Sequence, residues 1–247
     1  MYESEQKEYE IKSLLNLMEA KPEEFKFIDK LDISEIQKLK KQLVYFLQES
    51  QEEVWAPLAK VSKFLPNFIN AKVSQDILGA KIAANFSYHL DPKDALGIAS
   101  HFSISFFCDV LEHLIPEKIE AMIKESPFEL MKKAVNELIK RKNFFLIGSL
   151  IDYTPIHSVE KIAKGLENPA HLILISFNSR NKERILQLFK NFDNTIIRNV
   201  MKAGIENHLL HELETIYSHA DSELKSKTLN LFKEEPILHK ELEKIFK

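Results

Sequence analysis

An all-α fold is what this sequence predicts: a superhelical, α-solenoid-like stack of short helices, led by longer N-terminal ones. Three observations point there. Glycine numbers 5 and proline 9 in 247 residues, too few for the many turns of a β-rich fold. Apolar residues return at spacings of three and four, which is one helix face. A helix–turn phrase also recurs along the chain, as it does in repeat proteins. With 45% hydrophobic and 29% charged residues, the composition is neither that of a disordered chain nor that of a membrane-embedded one.

The first segment, Glu3 to Glu19, carries Ile11, Leu14, Leu15 and Met18 on one helical stripe. Pro22 suits a first helical turn, where its missing N–H loses nothing, and opens a short helix through Lys30. Ser34 is placed to cap the next helix, whose face is built from Ile36, Leu39, Leu43, Phe46 and Leu47. These helices assign residues 1–55 to an N-terminal arm or cap, and residues 56–247 to a helical-repeat domain.

From about Val54 the helices shorten. An apolar helix end, a proline or aspartate turn and a new helix follow one another at Pro66, Pro92, Pro116, Pro155 and Asn194, positions separated by 26, 24, 39 and 39 residues. Proline stops one helix and starts the next, and Asp91 and Asp193 are placed to accept from free N–H groups at the following helix start. Short amphipathic helices bury their stripes only by stacking on neighbours. An additional helix, Phe128 to Lys140, accounts for the wider spacing after Pro116.

The clearest repeat runs from Phe86 through Leu90-Asp91-Pro92 to Ala99, and again from Val110 through Leu114-Ile115-Pro116 to Ile123. This phrase resembles the short-helix repeats of the N-terminal domain of MgtE-type magnesium transporters, and those of the flagellar rotor switch protein. The resemblance spans about residues 54–207. It implies a superhelix of short helices and, by analogy, a cation-responsive regulatory module. The chain departs from the transporter in showing no nucleotide-sensing domain of alternating strands and helices and no transmembrane segment. No acidic residue here is matched to magnesium sensing.

The sole cysteine, Cys108, leaves no internal disulfide and suits a reducing compartment. The acidic start Met1-Tyr2-Glu3-Ser4-Glu5 lacks the apolar core of a secretory signal. The longest apolar runs, such as Phe144 to Ile151, are far shorter than the roughly 20 residues of a membrane span. A cytoplasmic location is the expectation. Net charge is −3 overall, but −5 over residues 1–55 and +5 over residues 126–190. The basic stretch is suited to an acidic partner or to the acidic arm of a second copy.

Few residues suggest chemistry. On a continuous helix, His208, His211, Glu212, Thr215 and His219 would share one wet face opposite Ile205, Leu209, Leu213, Ile216 and Tyr217. Imidazoles and a carboxylate can hold zinc, but the order His-x-x-His-Glu matches neither zinc-protease helix signature, so a solvated face is expected. His89 and His113 each precede a leucine and a proline turn, where imidazoles favour a helix C-terminus. Cys108, near Asp109 and His113, lies in an apolar segment where burial would leave its thiol inert. Lys132, Lys133, Lys140, Arg141 and Lys142 precede Phe144 and Phe145, but these aromatics read as core rather than as stacking platforms for nucleic acid. Trp55 and the 17 phenylalanines read as packing residues. Gly97 and Gly148, inside apolar helices, mark close helix contacts.

The expectation is a non-catalytic protein-interaction or scaffold module with no cofactor and no assigned catalytic or metal residue. Its partner would be a protein, a second copy included, rather than nucleic acid. Two alternatives stand beside it: the cation-responsive module and an enzyme whose site assembles in a concave groove.

Overall fold

The computed structural model describes residues 2–18, 20–49 and 52–246, and among these are seventeen α-helices and no strand. The chain divides into two compact units, residues 1–137 and 138–247.

The first unit opens with its two longest helices, α1 (Tyr2–Met18) and α2 (Ile33–Glu49), packed on each other. Leu14, Leu15, Ile28 and Ile36 form their core, and Ile11, Met18, Leu39 and Leu43 close around it. Phe46, expected on the same stripe, is instead 65% exposed. Glu19, the expected helix end, and the side chain of Leu47 lie outside the described residues. The single helix expected from Pro22 to Lys30 is two 3₁₀ turns, Pro22–Glu24 and Lys26–Lys30, with Phe25 between them at φ −128°. Asp32, not Ser34, caps α2. Its carboxylate accepts from the Glu35 N–H (2.8 Å) while Glu35 accepts from the Asp32 N–H (2.9 Å), a reciprocal capping box that a serine two residues later cannot form. Buried Glu10 accepts from Gln37 and Lys40, and Lys40 also reaches Glu117 at 3.3 Å.

The remaining helices of this unit are short: α3 (Glu52–Ser62), α4 (Asn67–Val73, prolonged by a π turn over Ser74–Leu78), α5 (Ala80–Ser87), α6 (Pro92–Ala99), α7 (Ile104–Glu112), α8 (Glu120–Glu125) and α9 (Phe128–Lys140), inside which the two units divide. Three of them pack on the helix two further along, α4 on α6, α6 on α8 and α5 on α7. The second unit repeats this rule. It contains α10 (Phe144–Ile151), α11 (Ile156–Lys164), α12 (Pro169–Asn178), α13 (Lys182–Asn191), α14 (Asn194–Glu206), α15 (Leu210–Tyr217), α16 (Ser222–Asn230) and α17 (Pro236–Ile245). There α10 packs on α12, α12 on α14 and α15, and α15 on α17. Its core includes Ile173, Phe189, Phe192, Ile197, Phe232 and Tyr217. Fully buried Tyr217 stacks on Phe246 (4.8 Å) and meets Phe189 edge-on (5.9 Å), and burial pushes its phenol well above the usual value.

All five expected turns mark the start of a helical element. Asp193 does cap α14, accepting from the Ile196 N–H at 2.9 Å. Asp91 stands at the cap position of α6, but its carboxylate makes no bond to that helix. It accepts from Lys63 instead, at 2.6 Å, because a salt bridge tying α3 to α6 takes its carboxylate away from the helix end. The two spacings of 39 residues each contain three α-helices. From α4 to α16 a new helix begins every 8 to 16 residues, most often every 12 or 13.

Both singled-out glycines lie at close approaches, of different kinds. A Cβ on Gly148 of α10 would fall 2.5 Å from the Asn178 carbonyl carbon of α12, whereas one on Gly97 would meet only the Asn67 side chain. Backbone cannot step aside as a side-chain amide can. Gly148→Ala is therefore expected to lower stability by about 1–3 kcal/mol, and Gly97→Ala by under about 1 kcal/mol, in urea unfolding. Equal effects would contradict the assigned α10–α12 contact.

Candidate functional site

The histidine face expected on one helix does not form. The chain breaks between α14 and α15, and His208 sits in that break with φ +59°. Its left-handed backbone ends the helix, the Leu209 N–H bonding back to the Gly204 carbonyl (2.8 Å). His211 is exposed on α15, its ring centroid 5.9 Å from that of Phe177 in an edge-on arrangement. His219 lies past the end of α15, its Nδ1 3.2 Å from the Thr215 carbonyl. Thr215, expected on the wet side, is buried, while Leu213, Ile216 and Tyr217 are fully buried as the stripe requires. Among the described residues no group of three or more His, Cys, Asp or Glu side chains is arranged to hold a metal ion.

The other sequence candidates lie in the core, at helix ends and on a helix surface. Cys108 is fully buried and donates to the Ala134 carbonyl at 3.7 Å, in keeping with an inert thiol. His113 stands at the C-cap of α7, and His89 one residue beyond the C-cap of α5. Lys132, Lys133 and Lys140 are exposed on α9. Leu146 and Ile147 are core, and half-buried Phe144 lies against His171 (5.4 Å).

A polar clasp in the second unit has no obvious mark in the sequence. Asp152, just past α10, accepts from the Ser179 hydroxyl (2.6 Å) and from the N–H groups of Arg180 (2.9 Å) and Asn181 (3.3 Å). Burial raises its pKa, against the pull of those donors and of Lys182. Buried Lys182 donates to the carbonyls of Ser176, Phe177 and Ser179 at 2.5–3.2 Å, a cation closing the C-terminus of α12. Arg184 donates to the Thr154 carbonyl. The basic stretch is thus partly committed within the chain, since Lys164 also pairs with Glu160 and Lys190 with Asp221. The only signal for the clasp is separation: Asp152 and Ser179 are 27 residues apart, about two helices.

An apolar cavity of about 70 Å³ lies in the first unit among Phe86, Leu90, Ile98, Phe102, Phe107 and Leu111, with polar groups only from Ser74, Ser87 and Ser126. That is about half the size of an apolar cavity known to admit benzene, and it brings together no acid, base or nucleophile pair.

The surface of the first unit is more telling. Val54 (59% exposed), Leu58 (48%) and Val61 (58%) lie on one outer stripe of α3, while Ala59 faces the core. The turn after α3 continues this apolar surface with Phe64 (87%) and Leu65 (43%), and α4 adds Phe68 (57%). Phe64 and Phe68, expected with the other phenylalanines to be packing residues, are instead exposed. Spacing reveals an apolar stripe but not which of two possible faces is covered. Compared with protein-family models, curated proteins and solved structures, the chain finds no match.

Hydrogen bonding and ion pairing shift several carboxyls. The Glu35 N–H holds Asp32 below its usual value, Lys63 does so for Asp91, Lys190 for Asp221, and Arg198 with Lys202 for Glu235. A depressed folded-state pKa gives stability that is present above the ordinary carboxylate range and lost as pH falls through the folded value. Melting temperature should therefore fall as pH drops below about 4, by less in high salt because these pairs are exposed. Asp152 has the opposite sign, its contribution being lost as pH rises through its raised folded value. Asp152→Ala should nevertheless cost about 2–3 kcal/mol at neutral pH, because it strands the donors around it. An unchanged urea midpoint would contradict the clasp.

Proposed function

We propose that this chain is a non-catalytic helical-repeat module that docks a protein partner through the apolar surface of α3 and the start of α4. The observation that carries the reading is the exposure of Val54, Leu58, Val61, Phe64, Leu65 and Phe68 on consecutive elements. Large apolar side chains gathered on one surface lose free energy in water, and in folded proteins such patches mark interaction sites. The short-helix pattern supports the repeat part of the reading, because helices two apart pack together within each unit. Polar bonds recur at the matching separation: Lys63 to Asp91, the Ser103 N–H to Gln75, the Ile115 N–H to Tyr88 and Ser179 to Asp152 lie 27 or 28 residues apart.

The test is a photo-crosslinking phenylalanine analogue placed at Phe68 in the full chain within its native cell. A discrete protein adduct is expected at Phe68, absent when the same probe replaces exposed Lys233 and lost when Leu58→Asp and Val61→Asp are added. Equal adducts at Phe68 and Lys233, or none, would contradict the reading.

A further inference from the structure

We infer that the apolar cavity of the first unit is a binding site for a small, neutral aliphatic molecule bearing one oxygen, an alcohol or a ketone, which Ser74 holds by a hydrogen bond. The site is independent of any partner docked on α3. Its wall is drawn from successive elements, the π turn after α4 and the helices α5 to α8. Leu90, Ile98 and Leu111 are buried there, while Phe86, Phe102 and Met122 are only half-buried. The cavity therefore lies beside the surface, where the flexible thioether of Met122 can yield to an entering molecule.

Ser74 is the observation that points to a ligand. It is 4% exposed and lines the cavity. A helical serine commonly satisfies its hydroxyl on the preceding turn. Ser62, Ser87 and Ser149 each do so, donating to the carbonyl three residues earlier at 2.7–2.9 Å. The Ser74 hydroxyl has no partner among the described residues. The backbone at this place is also unusual. Ser74 opens the π turn, in which the Gly79 N–H reaches back to the Ser74 carbonyl at 2.9 Å, and such turns are rare and gather at functional sites. A hydroxyl left unbonded in apolar surroundings costs free energy that an incoming polar atom recovers.

The rest of the wall sets the chemistry of the ligand. No charged side chain among the described residues lines the cavity, so a carboxylate or an ammonium would enter it without a counter-charge, at a steep desolvation cost. Water serves the site poorly. It needs about two to four polar partners, and the Ser87 hydroxyl is already committed to the Ala84 carbonyl, which leaves Ser126 alone beside Ser74. An aliphatic chain instead gains dispersion contacts along the wall and brings its oxygen to Ser74. The volume of about 70 Å³, set against roughly 150 Å³ for a cavity that takes benzene, suits a chain of about three or four carbons.

The experiment follows the Met122 methyl signal by NMR in the full chain labelled at its methionine methyl groups, with 1-butanol and xenon as probes. 1-Butanol is expected to shift that signal saturably, with Kd on the order of 1 mM for so few atoms. Ser74→Ala removes the hydrogen bond and is expected to weaken 1-butanol about five-fold, while xenon, which fills apolar space without hydrogen bonding, binds no more weakly than before. Ala99→Leu, whose added atoms fall in the cavity it lines, is expected to abolish the response to both probes. Ser74→Ala changes the side chain by a single oxygen and keeps the test decisive if Ala99→Leu does not fold. No saturable shift with 1-butanol in the wild type, or equal 1-butanol affinity in the wild type and Ser74→Ala, overturns the proposal. A response to xenon alone marks a packing void and overturns it as well.

Discussion

Short helices cannot stand alone, and the constraint behind this structure is that each must bury its apolar stripe against other helices, in several cases the one two or three places further along the chain. A helix of eight to ten residues is marginal in water by itself. Here α10, α12, α15 and α17 each take their cover from another member of that set. Gly148 shows how closely two of them approach, with α12 backbone lying where a methyl group would be.

Polar bonds at the same separation fix the register. Asp152 reaches the loop after α12, Lys63 reaches the start of α6, and Cys108 reaches the Ala134 carbonyl, spans of 26 to 28 residues. Packing supplies the gross stabilisation, and these directed bonds choose which neighbour is packed against. The buried Lys182 has the same role on a smaller scale, joining the end of α12 to the start of α13 through carbonyls that would otherwise lack a partner.

Much of the helical character was legible in the residues, because amphipathic spacing and proline punctuation report local physics. Pro66, Pro92, Pro116, Pro155 and Asn194 all stand at or beside helix starts. Other helix starts were hidden because they lie at less conspicuous caps: Asn143, Asn168, Asn181 and Asp221 each accept from a backbone N–H of the following helix. The histidine face failed at one residue, since nothing in Asn207-His208-Leu209 announces a left-handed turn, a conformation that a non-glycine residue adopts only where the surroundings impose it. The clasp at Asp152 and the bare outer stripe of α3 were illegible for a common reason. Each depends on what lies across space from a residue, and local spacing carries no record of that.

The account stands or falls on coupling between helices two apart, and amide hydrogen exchange followed by mass spectrometry reads it most directly. In the Gly148→Ala chain, the account predicts faster exchange in Pro169–Asn178 as well as in Phe144–Ile151, with α13 and α16 much less affected. Loss of protection confined to Phe144–Ile151, with Pro169–Asn178 unchanged, would contradict it.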